Sequence, residues 1–289
     1  MTASLIIQTI VNAIVLGSLY SLMAVGLSLC FGVMKMANFA HGELVMAGAY
    51  AVFFFYSLNG VPFPVAVLLA IVVVAVIGIA VNYAIFVPTE GNILAGFMAT
   101  AGLSFVLQVI AGQIWGFGQP KAVETPYMGA ANVFGAAIGW QRVLVIPLTA
   151  AALLLLWFVL TRTKPGKALR ACAQDPEAAS LQGISPRAVA AWAMAMAGAS
   201  AGLAGALMAT IFPVTPYMGH NAVLVAFVVV VLGGMSSVQG AVVAAFILAA
   251  AHTISSTIWD SVIGMMVGVA LMAIILVLRP QGLVSGSAR

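Results

Sequence analysis

From Pro62 to Val87 the chain reads PFPVAVLLAIVVVAVIGIAVNYAIFV, without a single charged residue. Roughly 20 apolar residues of helix cross the ~30 Å hydrocarbon layer of a bilayer, so this stretch reads as a membrane span. Working outward, similar runs extend over Leu5–Gly32, Leu44–Leu58, Ile93–Gly112, Val143–Leu160, Val189–Phe212, Ala222–Gly233, Ala241–Ile258 and Val262–Leu278. Ala222–Gly233 is too short to cross alone, so the pattern predicts eight or nine crossings. The expected fold is an all-α polytopic membrane helix bundle, one transmembrane domain over residues 1–289, with discontinuous segments.

Composition points the same way. Of 289 residues, 64% are hydrophobic and 6% charged, against about 25% charged in soluble domains. A soluble fold of this kind would expose large apolar patches. The N-terminal residues lack the basic start of a secretory signal and read as the beginning of an uncleaved span. Cys30 and Cys172 form neither a disulfide framework nor a metal-ligand set, and both are expected to be reduced.

The net charge is +4, but the ten basic residues are too few and dispersed for a nucleic-acid footprint. They report orientation instead. Arg162, Lys164, Lys167, Arg170 and Arg187 crowd one connection, so residues 161–186 are expected to be cytoplasmic by the positive-inside rule. Arg279 and Arg289 put the C-terminus on the same side if four crossings follow. Counting back puts residues 113–141 outside, where Trp115, Phe117, Tyr127 and Trp140 serve as interfacial anchors or receive a partner protein. Gly198, Gly202, Gly205, Ala206 and Ala209 form one small-residue seam, and Gly264 with Gly268 another, suited to close helix packing inside the bundle.

Three polar places interrupt the apolar pattern. In the basic connection, Asp175 is a good N-cap, Pro176 fits the first helical position, Glu177 complements the helix dipole and Gly183 supplies a stop. A helix this short is marginal alone. It either docks into a groove on a cytoplasmic partner or is an ordinary basic inside loop. Between Lys35 and Glu43, the residues Asn38, His41 and Glu43 break two apolar runs; they form either an interfacial turn or a discontinuous segment lining a pathway. No HExxH or Cys/His cluster accompanies His41, so no metal site is expected.

The third place, LGGMSSVQG at Leu232–Gly240, breaks the chain again with Gly233, Gly234, Ser236 and Ser237. Paired breaks in two halves of a transporter bring helix ends to a midplane site, which makes the first and third places candidate repeat partners and pathway elements. The chain holds no GxxxxGK[ST] phosphate loop, so it is not itself a P-loop ATPase. Intramembrane ionisable groups are few: Glu43, with His220, His252 and Asp260 near run ends.

Four motifs together resemble the permease subunits of ABC importers for branched-chain amino acids. They are NFAHGE with MAGAY (Asn38–Glu43, Met46–Tyr50), KALRACAQDPEAASLQGI (Lys167–Ile184), LGGMSSVQG, and LRPQGL (Leu278–Leu283). They cover nearly the whole chain in order. The resemblance implies a bacterial inner-membrane subunit without catalysis of its own and without a cofactor. It also implies a heterodimer with a second permease, two cytoplasmic ATPase subunits and a periplasmic substrate-binding protein. The coupling role would fall on Asp175, Pro176 and Glu177, framed by Arg170 and Gly183, in a cytoplasmic coupling helix. Relatives similar in these motifs serve urea or short amides, so the cargo stays open between those and hydrophobic amino acids. A self-sufficient carrier or channel is the rival from another class. An intramembrane enzyme would need convergent catalytic groups, and no paired Asp, Ser/Lys or HExxH set is present.

Overall fold

The structure, a computed structural model, describes residues 3–124, 127, 129–133, 136–279, 282 and 283. The helices are α1 (Ala3–Met34), α2 (His41–Val52), α3 (Phe63–Val81), α4 (Ile93–Trp115), α5 (Trp140–Arg162), α6 (Lys164–Gln174), α7 (Pro176–Leu181), α8 (Pro186–Met208), α9 (Met218–Gly233), α10 (Val238–Ile258) and α11 (Ser261–Leu278). π-Helical turns extend α2 over Phe53–Leu58 and α3 over Asn82–Phe86. Between α4 and α5 a hairpin pairs β1 (Ala130–Val133) with β2 (Ala136–Gly139), Ala130 opposite Gly139. Arg289, Pro280 and Gln281, which entered the sequence argument, lie outside the described residues, as do five positions of the 113–141 connection.

All nine apolar runs are helical, and the fold is a polytopic all-α bundle. Among the described residues seven helices are long and apolar enough to cross a membrane: α1, α3 with its π-turn, α4, α5, α8, α10 and α11. The eight or nine crossings of the sequence reading are not reached by helices of that length. The 16 residues of α9 amount to about 24 Å of helix, short of the ~30 Å hydrocarbon thickness. Helix α2 has 12 residues before its π-turn.

The bundle has a basic end, carrying α6 and α7, and a hairpin end. α1 begins near the hairpin, where Arg142 Nη1 donates to Asn12 Oδ1 at 2.6 Å, and finishes at the basic end. There Val33 packs on the Leu169, Cys172, Ala179 and Val189 cluster. At the hairpin end an isolated bridge joins Lys121 to Val214, tying the long connection to the α8–α9 turn. Trp115 is not an exposed anchor: it stacks on Tyr50 with ring centroids 5.5 Å apart and also packs on Phe53. Phe117, Tyr127 and Trp140 keep substantial exposure.

The glycine seams are internal, as their spacing predicts. A side chain at Gly198 would strike Val74, at Gly202 it would meet Ala70 and Val74, and at Gly205 it would strike the backbone of Val45 and Ala49. Backbones there approach too closely for a Cβ, which is how helices gain contact where lipid offers no hydrophobic drive. Gly264 lies against His252 and Ser256, and Gly268 against Leu248. Both cysteines are free and buried.

The bundle also repeats itself, but not in the register read from sequence. The largest helix interfaces are α1 with α10 and α3 with α8; the central contacts are α1 with α8 and α2 with α9. Exchanging α1, α2, α3 for α8, α9, α10 maps this pattern onto itself. The break before α2 therefore corresponds to the α8–α9 connection, not to Leu232–Gly240. The glycine near a methionine that the two breaks share does not set the register, which follows from which helices pack and is a long-range property.

Candidate translocation and coupling sites

Helices α2 and α9 start inside the protein. His41, the first residue of α2, hydrogen-bonds through Nε2 with Met23 O of α1 at 2.9 Å, and Met23 lies about 16 Å from the basic end of that helix. Gly42 abuts the backbone of Gly219 in the first turn of α9. Two half-length helices thus bring their N-termini together at mid-depth, the arrangement that transporters use at midplane sites.

Glu43 is the carboxyl group at this junction, and none of its surface is exposed. Its Oε1 accepts from Gln108 Nε2 at 2.7 Å and from Ser104 Oγ at 3.0 Å, both on α4. Its carboxyl lies where a side chain on Gly219 would go, so one carboxyl ties α2, α4 and α9. The preceding loop is fixed as well: Asn38 Oδ1 accepts from Ala40 N at 3.0 Å, and Phe39 packs edge-to-face with Phe97 and stacks on Phe227. Asn38 and His41 are fully buried, and Asn38 Nδ2, His41 Nδ1 and Glu43 Oε2 have no partner among the described residues.

The structure brings Asn38, His41 and Glu43 together and places Gly233, Gly234, Ser236 and Ser237 elsewhere, at the basic end. Ser236 lies beside Gly32, and Ser28 Oγ is 3.5 Å from Met235 O. Ser237 caps α10 by accepting from Gly240 N at 3.0 Å. Leu283 N donates to Leu232 O at 2.8 Å, so two of the motifs, far apart in sequence, touch. Ser236 and Ser237 share a groove with Arg170 of α6. Ser104 and Gln108 escaped the sequence reading, although polar side chains four residues apart in the apolar run Ile93–Gly112 were a usable signal.

The basic connection folds as its local signals require. Thr163 caps α6 by accepting from Gly166 N, Arg170 Nη1 donates to Leu160 O at the end of α5, and Leu169 and Cys172 turn into the bundle. Burial there pushes the Cys172 thiol up from its ordinary pKa. Asp175 Oδ1 accepts from Glu177 N at 2.9 Å and Ala178 N at 3.0 Å, Pro176 occupies the first turn, and Gly183 adopts φ 80° after the helix ends. Only Ala179 of α7 is buried. Leu181 is 86% exposed, an apolar knob beside Glu177.

Comparison with known proteins gives one consistent result. Residues 9–278 match the family described as branched-chain amino acid transport system, permease component. The chain is 30% identical to the high-affinity branched-chain amino acid transport system permease protein LivH of Salmonella typhimurium, over 96% of this chain and 94% of that one. It is 29% identical to the protein of the same description, BraD, of Pseudomonas aeruginosa, over 96% and 95%. LivH of Escherichia coli K12 matches at 30% over 96% and 94%. No solved structure matches the chain.

Proposed function

The chain belongs to the permease-component family of branched-chain amino acid transport systems, and we propose that it is the membrane subunit of an ATP-driven importer of branched-chain or other hydrophobic amino acids. The observation that carries this is the match over residues 9–278, which spans both half-helices and the capped α7 segment. On this reading the subunit lies in the bacterial inner membrane with the basic end cytoplasmic. It pairs with a second permease and receives substrate from a periplasmic binding protein. Two ATPase subunits supply the energy, and the chain itself does no covalent chemistry.

Physical features of α6 and α7 support the coupling role. A six-residue helix is too short to persist on propensity, yet α7 is capped at its start, stopped by Gly183 and anchored through Ala179. It presents Glu177 and Leu181 outward, the form of a helix that docks in a groove. Because α6 grips α5 through Arg170 and the bundle through Leu169, a pull on α7 reaches α1, α5 and α8 directly. The half-helix junction then changes which end it faces, with Asn38, His41 and Glu43 shaping the passage as the bundle rocks.

Proteoliposomes holding this chain with its partner permease and ATPases test the proposal. Radiolabelled leucine uptake should require both ATP inside and binding protein outside. Urea uptake in its place would change the cargo and keep the machine; ATP-independent leucine uptake by this chain alone would overturn the proposal.

A further inference from the structure

The coupling segment does not sit flush on the bundle. A cavity of about 190 Å³ separates Cys172, Pro176 and Arg187 from the end of α1 and the π-turn of α3. That is smaller than the ~300–1,000 Å³ of drug-sized sites and suits a small solute. Its charges are of both signs. Lys35 and Arg187 supply two cations and Glu90 one carboxylate, with Arg187 Nε 3.5 Å from Glu90 Oε2. Met36, Phe86, Val87 and Ala190 give it apolar walls.

Asn82 marks the cavity as more than a packing gap. Its side chain is fully buried and lines the space, yet neither Nδ2 nor Oδ1 has a partner among the described residues. Buried polar groups in folded proteins are overwhelmingly paired, so an open donor beside an open acceptor is a place for a ligand's polar groups. Asn82 also begins a π-helical turn, a feature frequent at functional sites. Lys35, across the cavity, is the one non-glycine residue at positive φ among the described residues, at 52°. Such strain gathers at ligand clamps and switches.

We infer that this cavity is a second amino-acid site, on the coupling face of the permease and apart from the half-helix junction. Its chemistry matches a free aliphatic α-amino acid. The carboxylate faces Lys35 and Arg187, the ammonium faces Glu90, and the side chain lies against Met36 and Phe86. An anionic lipid headgroup fits less well, because Glu90 opposes it and the volume leaves no room for acyl chains. A solute held here touches both the moving segment and the fixed bundle end. It therefore favours the arrangement in which the cavity exists, by its difference in affinity between the two arrangements. Accumulated product would slow its own import. The ligand's identity and the segment's role rest on the proposed function; the lining does not.

The test uses the assembled transporter in proteoliposomes, with binding protein outside, ATP inside, and graded unlabelled leucine inside. Lumenal leucine should slow initial uptake of labelled leucine. Asn82→Ala, and separately Glu90→Gln, should need about tenfold more lumenal leucine for the same inhibition, the effect of losing one hydrogen bond to a charged group. Uptake into leucine-free vesicles should stay as in the unaltered chain. Glu90 is exposed, so its variant carries the test if Asn82→Ala fails to fold. Three results would overturn the site: importing vesicles indifferent to lumenal leucine, inhibition in both variants unchanged from that of the unaltered chain, or inhibition that tracks anionic lipid content instead of leucine. Absence of ATP-dependent uptake would count against the proposed function. Direct binding of labelled leucine to the detergent-solubilised transporter without binding protein would then decide the site: binding weakened in both variants supports it, and no binding overturns it.

Discussion

Asp175 holds two amide hydrogens of a helix only six residues long, so its carboxylate accounts for much of what keeps that helix formed. Replacing an N-cap aspartate by alanine costs about 1 kcal/mol, a factor of about five in the ratio of formed to unformed helix. Asp175→Ala should lower leucine uptake per ATP hydrolysed, by at most about that factor, while Asp175→Asn, which can also cap, stays near the unaltered chain; the ratio of uptake to phosphate release checks it. Reversing charge at Asp175 and Glu177 with lysine should uncouple hydrolysis from uptake. Glu43 makes a different prediction. Glu43→Gln preserves size and an acceptor for Gln108 and Ser104, whereas Glu43→Ala removes the acceptor both share, leaves them only their mutual 3.2 Å bond, and should destabilise the subunit by about 1–3 kcal/mol. Thermal unfolding of the purified protein in detergent, with the alanine variant melting below the glutamine one, is the measurement.

Elements were legible in proportion to how local their causes are. Asp175, Pro176 and Gly183 mark the ends of α7 within a few residues of sequence, and the structure places the ends there. Apolar runs gave the helices for the same reason. What escaped depends on distant partners: Trp115 leaves the surface because Tyr50 and Phe53 reach it, and Leu232–Gly240 leaves the interior because α9 runs to the basic end before breaking. No local signal distinguishes a break at mid-depth from one at the bundle's edge. The hairpin of residues 130–139 was also unforeseen, since four-residue strands of small side chains carry no clear alternation. At the same scale, α2 and α8 cross backbone to backbone at Gly205. Gly205→Val should lower the folded yield, since overpacking without room to relax costs about 1–3 kcal/mol or more. Gly102→Ala, where a Cβ meets nothing within 4 Å, should fold as well as the unaltered chain; size-exclusion yield in detergent compares them.

For the molecule as a whole, one helix fixes the relation between its two ends. The 23 residues of α5 give about 34 Å of helix, enough for one crossing of a ~30 Å layer, and they join the hairpin connection to the basic segment of α6 and α7. Cysteines placed at exposed Glu124 and at exposed Ser180 should react with a membrane-impermeant maleimide from opposite sides of sealed vesicles. Ser180 should react from the ATP-accessible side. Labelling of both from one side would remove α5 as a crossing and the proposed orientation with it.

The half-length of α9 also bears on how the chain is made. Sixteen residues, beginning beside a buried glutamate on another helix, are too few for a translocon to release sideways into lipid as an independent span. Their neighbours α1 and α2 are synthesised long before, and α10 and α11 just after. Insertion of α9 must therefore await a vestibule already walled by earlier helices, with α10 and α11 closing it afterwards. The half-helix junction takes its shape only once α10 and α11 have been made, and a ribosome stalled before α10 should leave a nascent chain whose α9 is still open to proteases.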